Sequence, residues 1–269
     1  MGKVILILCD GLRDDTAAWQ MGYLEHLVET RLASRYRVIA ELPTLSRPLY
    51  ETIHTGVPVS QHRITSNRIV RRSRMPNVFQ LTVENGGITA AAAYFWFSEL
   101  YNRVPYDPID DREVDDPSLF IQHGRFYTED DYPDAEVFAT AGMLVRKFSP
   151  NYLLVHPMGM DYLGELYGPD SSQYRNNATL QDKIMAGLIP EWLEAGYTVL
   201  ITADHGIDKD KSHGGSSPEV RHVPLYIVKP GEKGEDHREE VISQLQIAPT
   251  LCRLLGIPIP STMAHPSII

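Results

Sequence analysis

The sequence predicts an α/β protein whose largely parallel central sheet is sandwiched by helices and carries a small insertion. Two observations lead there: short apolar runs alternate with amphipathic stretches, and several of those runs are apolar on both faces. A strand covered by helices on both sides reads that way. With 269 residues, 43% of them hydrophobic, the chain can bury one full core.

The elements follow in order. KVILILCD (3–10), ITAAAAYF (88–95), NYLLVHPM (151–158), YTVLITAD (197–204) and VPLYIVK (223–229) are the expected strands. Between them WQMGYLEHLVETRLAS (19–34), AEVFATAGMLVRKF (135–148) and QDKIMAGLIPEWLEAG (181–196) have helical spacing, the last with Pro190 as a kink and Gly196 as its stop. EEVISQLQIAPTLCRLLG (239–256) reads as a closing helical segment interrupted by Pro249. The stretch 97–140 is rich in Asp, Pro, Tyr and Phe and has no sustained period, so it is expected as a cap or lid over a core made of 1–96 and 141–269. No internal repeat or low-complexity segment stands out.

Net charge is -10 and the pI about 5.4, which argues against a broad nucleic-acid-binding face; a phosphate-bearing substrate has to be met by a local site. The apolar run in MGKVILILCDG is too short for a signal peptide core or a membrane span, so the expectation is a cytoplasmic protein without a membrane partner. Cys9 and Cys252 lie far apart with no C-x-x-C spacing, which points away from a disulfide framework or a thiolate zinc site. Cys9 is expected to be a small buried residue.

Acidic residues collect where expected strands end. Asp10 follows the first strand, Asp161 lies just past the strand ending near Met158, and Asp204 with His205 ends the strand at 197–203; His213 follows a short loop later. Any one of them alone reads as a helix cap or turn residue. Together they match a metal site, because ligands of doubly wound sheets gather at the carboxyl edge and carboxylate and imidazole suit zinc or manganese. ELPTLSRPLYETIHTG (41–56) supplies a nucleophile: Ser46 precedes a helical pattern whose Pro48 is tolerated in the first turn. A helix N-terminus favours an incoming phosphate or an alkoxide. A plain N-cap explains Ser46 as well, and Thr44 is the rival nucleophile.

Asp10-Gly11, PTLSRP…HTG, MDYLGELYGP (160–169), ADHG (203–206) and SHGG (212–215), in this order, resemble the alkaline phosphatase superfamily, and within it the type I phosphodiesterase/nucleotide pyrophosphatase family. The match spans nearly the whole chain outside 97–140. Asn67 stands 21 residues after Ser46, where that family places an asparagine on the reacting phosphoryl group, and AYFWF (93–97) resembles its Trp-bearing strand before the lid.

The resemblance implies a phosphoric ester hydrolase with two divalent ions. Asp10, Ser46, Asp204 and His205 would hold one, Asp161, Glu165 and His213 the other, with a phosphoserine intermediate at Ser46 and Asn67 donating to a nonbridging oxygen. The family pattern D-x-x-G-H departs here at Glu165, a harder and negatively charged ligand. Zinc is the expected metal, and Glu165 moves the second site toward manganese or magnesium, or leaves it weak.

The remaining candidates carry two readings each. Arg47 is a phosphate clamp or a solvated first-turn residue; Arg68, Arg71, Arg72 and Arg74 attract a second phosphate or form a solvated face, the latter preferred. His222 ranks behind His213 as a ligand, and His156, His62 and His54 are expected to be structural. Tyr94, Trp96 and Phe97 are a stacking wall for a flat leaving group or ordinary core. A sulfatase needs C/S-x-P-x-R, and Tyr50 stands where the arginine belongs. The alternatives kept beside the phosphodiesterase/pyrophosphatase reading are a phosphomonoesterase, a phosphosugar mutase, and a degenerate non-catalytic binder of phosphate ligands. Substrate is expected to be a small phosphate ester.

Overall fold

Strand β1 (Lys3–Leu8) is buried from Val4 onward, as a run of five apolar residues at the middle of a helix-covered sheet should be. In the computed structural model, which describes all 269 residues, it pairs in parallel with β6 (Tyr152–Val155) on one side and β7 (Tyr197–Thr202) on the other. The sheet has nine strands in the order β4-β5-β3-β6-β1-β7-β8-β2-β9, with β2 Ala33–Ile39, β3 Thr89–Tyr94, β4 Glu113–Asp115, β5 His123–Tyr127, β8 His222–Val228 and β9 Asp236–Ser243. The block from β5 through β7 is parallel, β4 and β8 run against their neighbours, and β9 is parallel to β2. The mixed α/β sheet flanked by helices is the expected class.

The helices are α1 (Asp14–Gln20), α2 (Gly22–Glu29), α3 (Ser46–Thr55), α4 (Val59–His62), α5 (Val78–Glu84), α6 (Trp96–Tyr101), α7 (Asp134–Phe148), α8 (Gly159–Tyr167), α9 (Ser172–Glu194), α10 (Pro218–Arg221) and α11 (Ile247–Leu255). Pro190 is accommodated inside the 23-residue α9. No helix is long and apolar enough to cross a membrane. Cys9 and Cys252 are both free and buried.

Three expectations differ from the structure. The helical reading of 19–34 ends too late, because Ala33 opens β2, whose two arginines mask its strand character. Arg35 is nevertheless buried, with Nη2 2.9 Å from Asp14 Oδ1 and Nε 3.0 Å from Glu25 Oε1. The closing segment is not helical at 239–243: those residues end β9, a largely exposed edge strand rich in charge, and Pro249 sits in the first turn of α11, where its missing N–H costs nothing. The third difference lies in 97–140, which supplies β4 and β5 to the sheet edge and the start of α7. Strands of three and five residues are too brief to leave a period.

Helix α3 is buried along all ten residues. It therefore encloses Glu51, whose Oε1 accepts from Ser73 at 2.6 Å while Oε2 has no partner. Burial raises its pKa from 4.5 to about 7, against the weaker opposing effects of the Ser73 hydrogen bond and the Arg71 charge. The folded chain thus holds a proton that the unfolded chain releases above pH 4.5. Stability falls as pH rises between those two values, by about 3 kcal/mol in total. Glu51→Gln removes this titration, so its unfolding midpoint should exceed that of the parent at pH 8 but not at pH 4.5. A difference independent of pH would contradict the assignment.

Candidate active site

Three adjacent strands, β6, β1 and β7, deliver carboxylates to one edge. Asp10 lies two residues past β1, Asp204 two past β7, and Asp161 in the first turn of α8, which follows β6. This is the carboxyl edge of the parallel block, where such sheets bind ligands. The turn after β1 needs glycine: Gly11 has φ of 75°, and a Cβ there would lie 2.7 Å from the Asp161 Cα. That close approach brings the Asp10 and Asp161 loops together. Asp134 anchors the start of α8 by accepting from Gly159 N at 3.0 Å, and is itself held by Asn177 and Gln181.

Ser46 is the first residue of α3, with Leu45 as N-cap, and its hydroxyl makes no capping bond. Its Oγ instead lies 3.1 Å from His205 Nε2, buried at 4% exposure. Thr44, the rival, is committed elsewhere. Its hydroxyl donates to Gly215 O at 2.8 Å and accepts from Gly214 N, and its carbonyl accepts from His213 Nδ1 at 2.9 Å. Thr44 thereby ties the His213 loop to the nucleophile segment. Asn67 reaches the same helix end, its Oδ1 accepting from Arg47 N at 3.0 Å.

The ligand-type atoms form two overlapping groups: Asp10, Asp204 and His205 in one, Asp161, His205 and His213 in the other, with atoms mutually within 4.8 Å in each. The imidazoles of His205 and His213 stack at 4.0 Å and 14°. Each uses Nδ1 on a carbonyl, Gly206 O or Thr44 O, so each turns Nε2 toward the carboxylates, the orientation metal-binding histidines take. Three buried carboxylate oxygens, Asp10 Oδ1, Asp161 Oδ1 and Asp204 Oδ2, have no hydrogen-bond partner. Orphan acceptors so close together are costly unless a cation satisfies them.

Electrostatics agrees. Burial, then the charge of Asp10, pushes Asp161 and Asp204 far above the usual carboxylate range, while bonds from His156 and Tyr50 and the nearby imidazoles hold Asp10 low despite its burial. Burial drops His205 to about 3, helped by His213 beside it. His213 rises to about 10, because Glu165 and Asp161 outweigh its desolvation. Glu165 Oε1 lies 3.1 Å from His213 Nε2 with its side chain half exposed, and it belongs to neither ligand group.

Two residues of this site escaped the sequence reading. His156, expected to be structural, reaches Asp10 Oδ2 with Nε2 at 3.0 Å, and the Tyr50 hydroxyl donates to the same oxygen. Together they occupy Oδ2 and leave Oδ1 free. The available signal was position, since His156 follows β6 immediately, at the same edge as the acids.

Arg47 is not a solvated first-turn residue: it is 1% exposed, bonds Glu99 at 2.7 Å and lies 4.5 Å over the Trp96 ring. Its Nε and Nη1 are enclosed and unpartnered, so its contacts are Glu99 and the Trp96 ring. Trp96 in turn stands 6.3 Å from the Tyr50 ring and 5.2 Å from Tyr94, as a half-buried wall beside the acids. Phe97 is core, stacked on Tyr50 at 4.4 Å. His54 and His62 are structural, bonded to Tyr152 and Thr52 respectively. His222 lies with Arg13 and Arg37 around another depression and in neither ligand group. Arg71 and Arg72 are spent on the carbonyls of His62 and Tyr101, while Arg68 and Arg74 are exposed, in keeping with a solvated face.

Comparison with known proteins gives a consistent picture. Residues 4–214 match the type I phosphodiesterase/nucleotide pyrophosphatase profile. The catalytic subunit of human GPI ethanolamine phosphate transferase 2 is 25% identical over 96% of the chain, which spans only 27% of that relative's length. Murine ectonucleotide pyrophosphatase/phosphodiesterase 5, solved as an inactive variant with AMP, superposes with a TM-score of 0.74 at 14% identity over 97% of this chain and 96% of that one. A phosphonate monoester hydrolase from Silicibacter pomeroyi gives 0.68 at 16% identity, covering 100% of this chain and 76% of its own. These two likenesses show the fold.

Proposed function

The chain belongs to the type I phosphodiesterase/nucleotide pyrophosphatase family, within the alkaline phosphatase superfamily of metal-dependent phosphoester enzymes, and from that premise we propose that it cleaves phosphodiester-type substrates through a phosphoserine at Ser46. One observation carries the reading: three buried, unpartnered carboxylate oxygens converge with two stacked imidazoles beside an uncapped helix-terminal hydroxyl. Asp10, Ser46, Asp204 and His205 would hold one divalent ion, and Asp161 and His213 a second, with Glu165 at its rim. Bound there, the ions would lower the hydroxyl pKa and neutralise charge developing at phosphorus.

The chain's own groups do the rest. Ser46 Oγ attacks phosphorus and the ester alcohol leaves; the phosphoseryl ester is then opened by a second hydroxyl, restoring Ser46. The amide of Asn67 would donate its N–H to a nonbridging oxygen, oriented by the bond its Oδ1 accepts from Arg47 N. His156 and Tyr50 fix the rotamer of Asp10. Trp96, steadied by Arg47, would line the leaving-group side.

The name of the human relative favours a second form of the same chemistry, in which the opening hydroxyl belongs to an alcohol and the outcome is transfer. Incubating the protein with bis-p-nitrophenyl phosphate across added zinc, manganese and magnesium, with and without glycerol, tests both. Nitrophenol release with a glycerol adduct indicates transfer, and release without one indicates hydrolysis. Faster turnover of p-nitrophenyl phosphate than of the diester would favour a phosphomonoesterase. No turnover with any metal would leave the non-catalytic binder.

Glu165→His restores the imidazole of the family pattern. It is expected to raise zinc affinity at the second site by roughly tenfold or more relative to manganese, read by metal competition and elemental analysis. Unchanged selectivity would mean that position 165 does not touch the metal.

A further inference from the structure

A cleft of about 370 Å³ is lined by none of the ligand-type residues described above and not by Ser46. It opens between α7 and the β4-β5 edge of the sheet. The alanine run of β3 creates it: Ala92, paired in register with Arg125, puts only a methyl group beneath α7, and the wall above is formed by Val137, Thr140 and the part-exposed Met143. At its end Tyr132 stacks on Tyr127 at 4.8 Å and 11°, giving a flat aromatic face.

The charges around the cleft differ in how far they are used. Arg125 is held by Asp115 at 2.9 Å and by the carbonyls of Val114 and Gly124, and Lys147 stands 4.0 Å from the same Asp115. Glu113 is mostly exposed and 3.8 Å from Arg125 Nε. Arg112 also lines the cleft, and its guanidinium makes no ion pair or hydrogen bond, in a chain whose net charge is -10. A slot floored by Ala92 and walled by Val137 and Met143, with a flat aromatic end and the exposed, uncommitted guanidinium of Arg112 at its rim, suits a planar ring bearing a carboxylate, and the volume is at the small end of ligand sites.

We propose that this cleft is a second, non-catalytic binding site for a small planar aromatic anion, seated over Ala92 against Tyr132 and paired with Arg112. The proposal does not depend on the reaction at Ser46.

Titration of the full chain with 2-naphthoate, followed by calorimetry, tests it. Saturable binding is expected, weakened roughly tenfold or more by Arg112→Gln and by replacing the probe with neutral 2-naphthalenemethanol. Thr140→Trp, at a part-exposed position that fills the slot, should abolish binding even if the arginine substitution is mild. Inorganic phosphate should not compete, and turnover in both variants should match the parent. Absence of saturable binding, competition by phosphate, or binding indifferent to both substitutions would overturn the proposal.

Discussion

Replacing Ser46 by alanine is expected to lower phosphodiester turnover by roughly a thousandfold or more, about 4 kcal/mol in the barrier, while leaving the unfolding midpoint near that of the parent. The fold should tolerate the change because the hydroxyl caps nothing: Leu45 is the N-cap, and the only partner of Oγ is His205 Nε2. The catalytic loss should be large because no neighbouring group can substitute. Thr44 sits two residues away with its hydroxyl engaged by Gly214 and Gly215. Mass spectrometry of acid-quenched parent enzyme should find a phosphoryl adduct on the Ser46 peptide. If Ser46→Ala retains near-parent turnover, water attacks directly and the serine is only a helix residue.

Stripping metal is expected to take turnover to background and to lower stability in the same step. Asp10, Asp204 and His205 are all at 0% exposure, and without a cation the raised pKa values of Asp161 and Asp204 mean those carboxylates cannot all ionise together. A divalent ion relieves desolvation and like-charge repulsion at once. At a hundredfold excess over its dissociation constant, one ion adds about 2.7 kcal/mol, which for a chain of this size raises the unfolding midpoint by roughly 5–10 °C. A diester assay and differential scanning calorimetry, each run after dialysis against a chelator and again with zinc restored, read the two quantities. A chelator-treated protein that keeps its activity would remove the two-ion reading, and a midpoint unmoved by zinc would show that the acids do not bind it.

What the sequence revealed and what it hid divide along physical lines. Asp10, Ser46, Asp161, Asp204 and His205 were legible because each closely follows an apolar strand or lies in the first turn of a helix, and His213 because it follows one of them by a short loop; the structure brings them together. The pairing of His156 with Asp10 was not legible, since it joins residues 146 apart and nothing local marks an imidazole as facing the next strand's acid. Strand β2 was hidden for a related reason. Arg35 and Arg37 read as solvent-facing until Asp14 and Glu25, on two helices, appear beside them. Glu165 remained ambiguous in sequence, and its half-exposed contact with His213 explains why: it sits at the rim, where ligand and neighbour differ by a rotamer.

The place of β1 in the sheet also governs how the chain reaches its native state. Its partners are β6 and β7, with Val4 opposite Tyr152 and Thr198. At ordinary rates of synthesis a segment roughly 150 residues upstream of its first partner waits on the order of ten to thirty seconds before that partner exists. For that interval KVILIL has no strand to pair with and no helix to cover it. Pairing at such separation is slow even after release from the ribosome. The hexapeptide that later carries Asp10 to the centre of the candidate site is therefore an apolar segment that the nascent chain leaves unpaired for most of its synthesis.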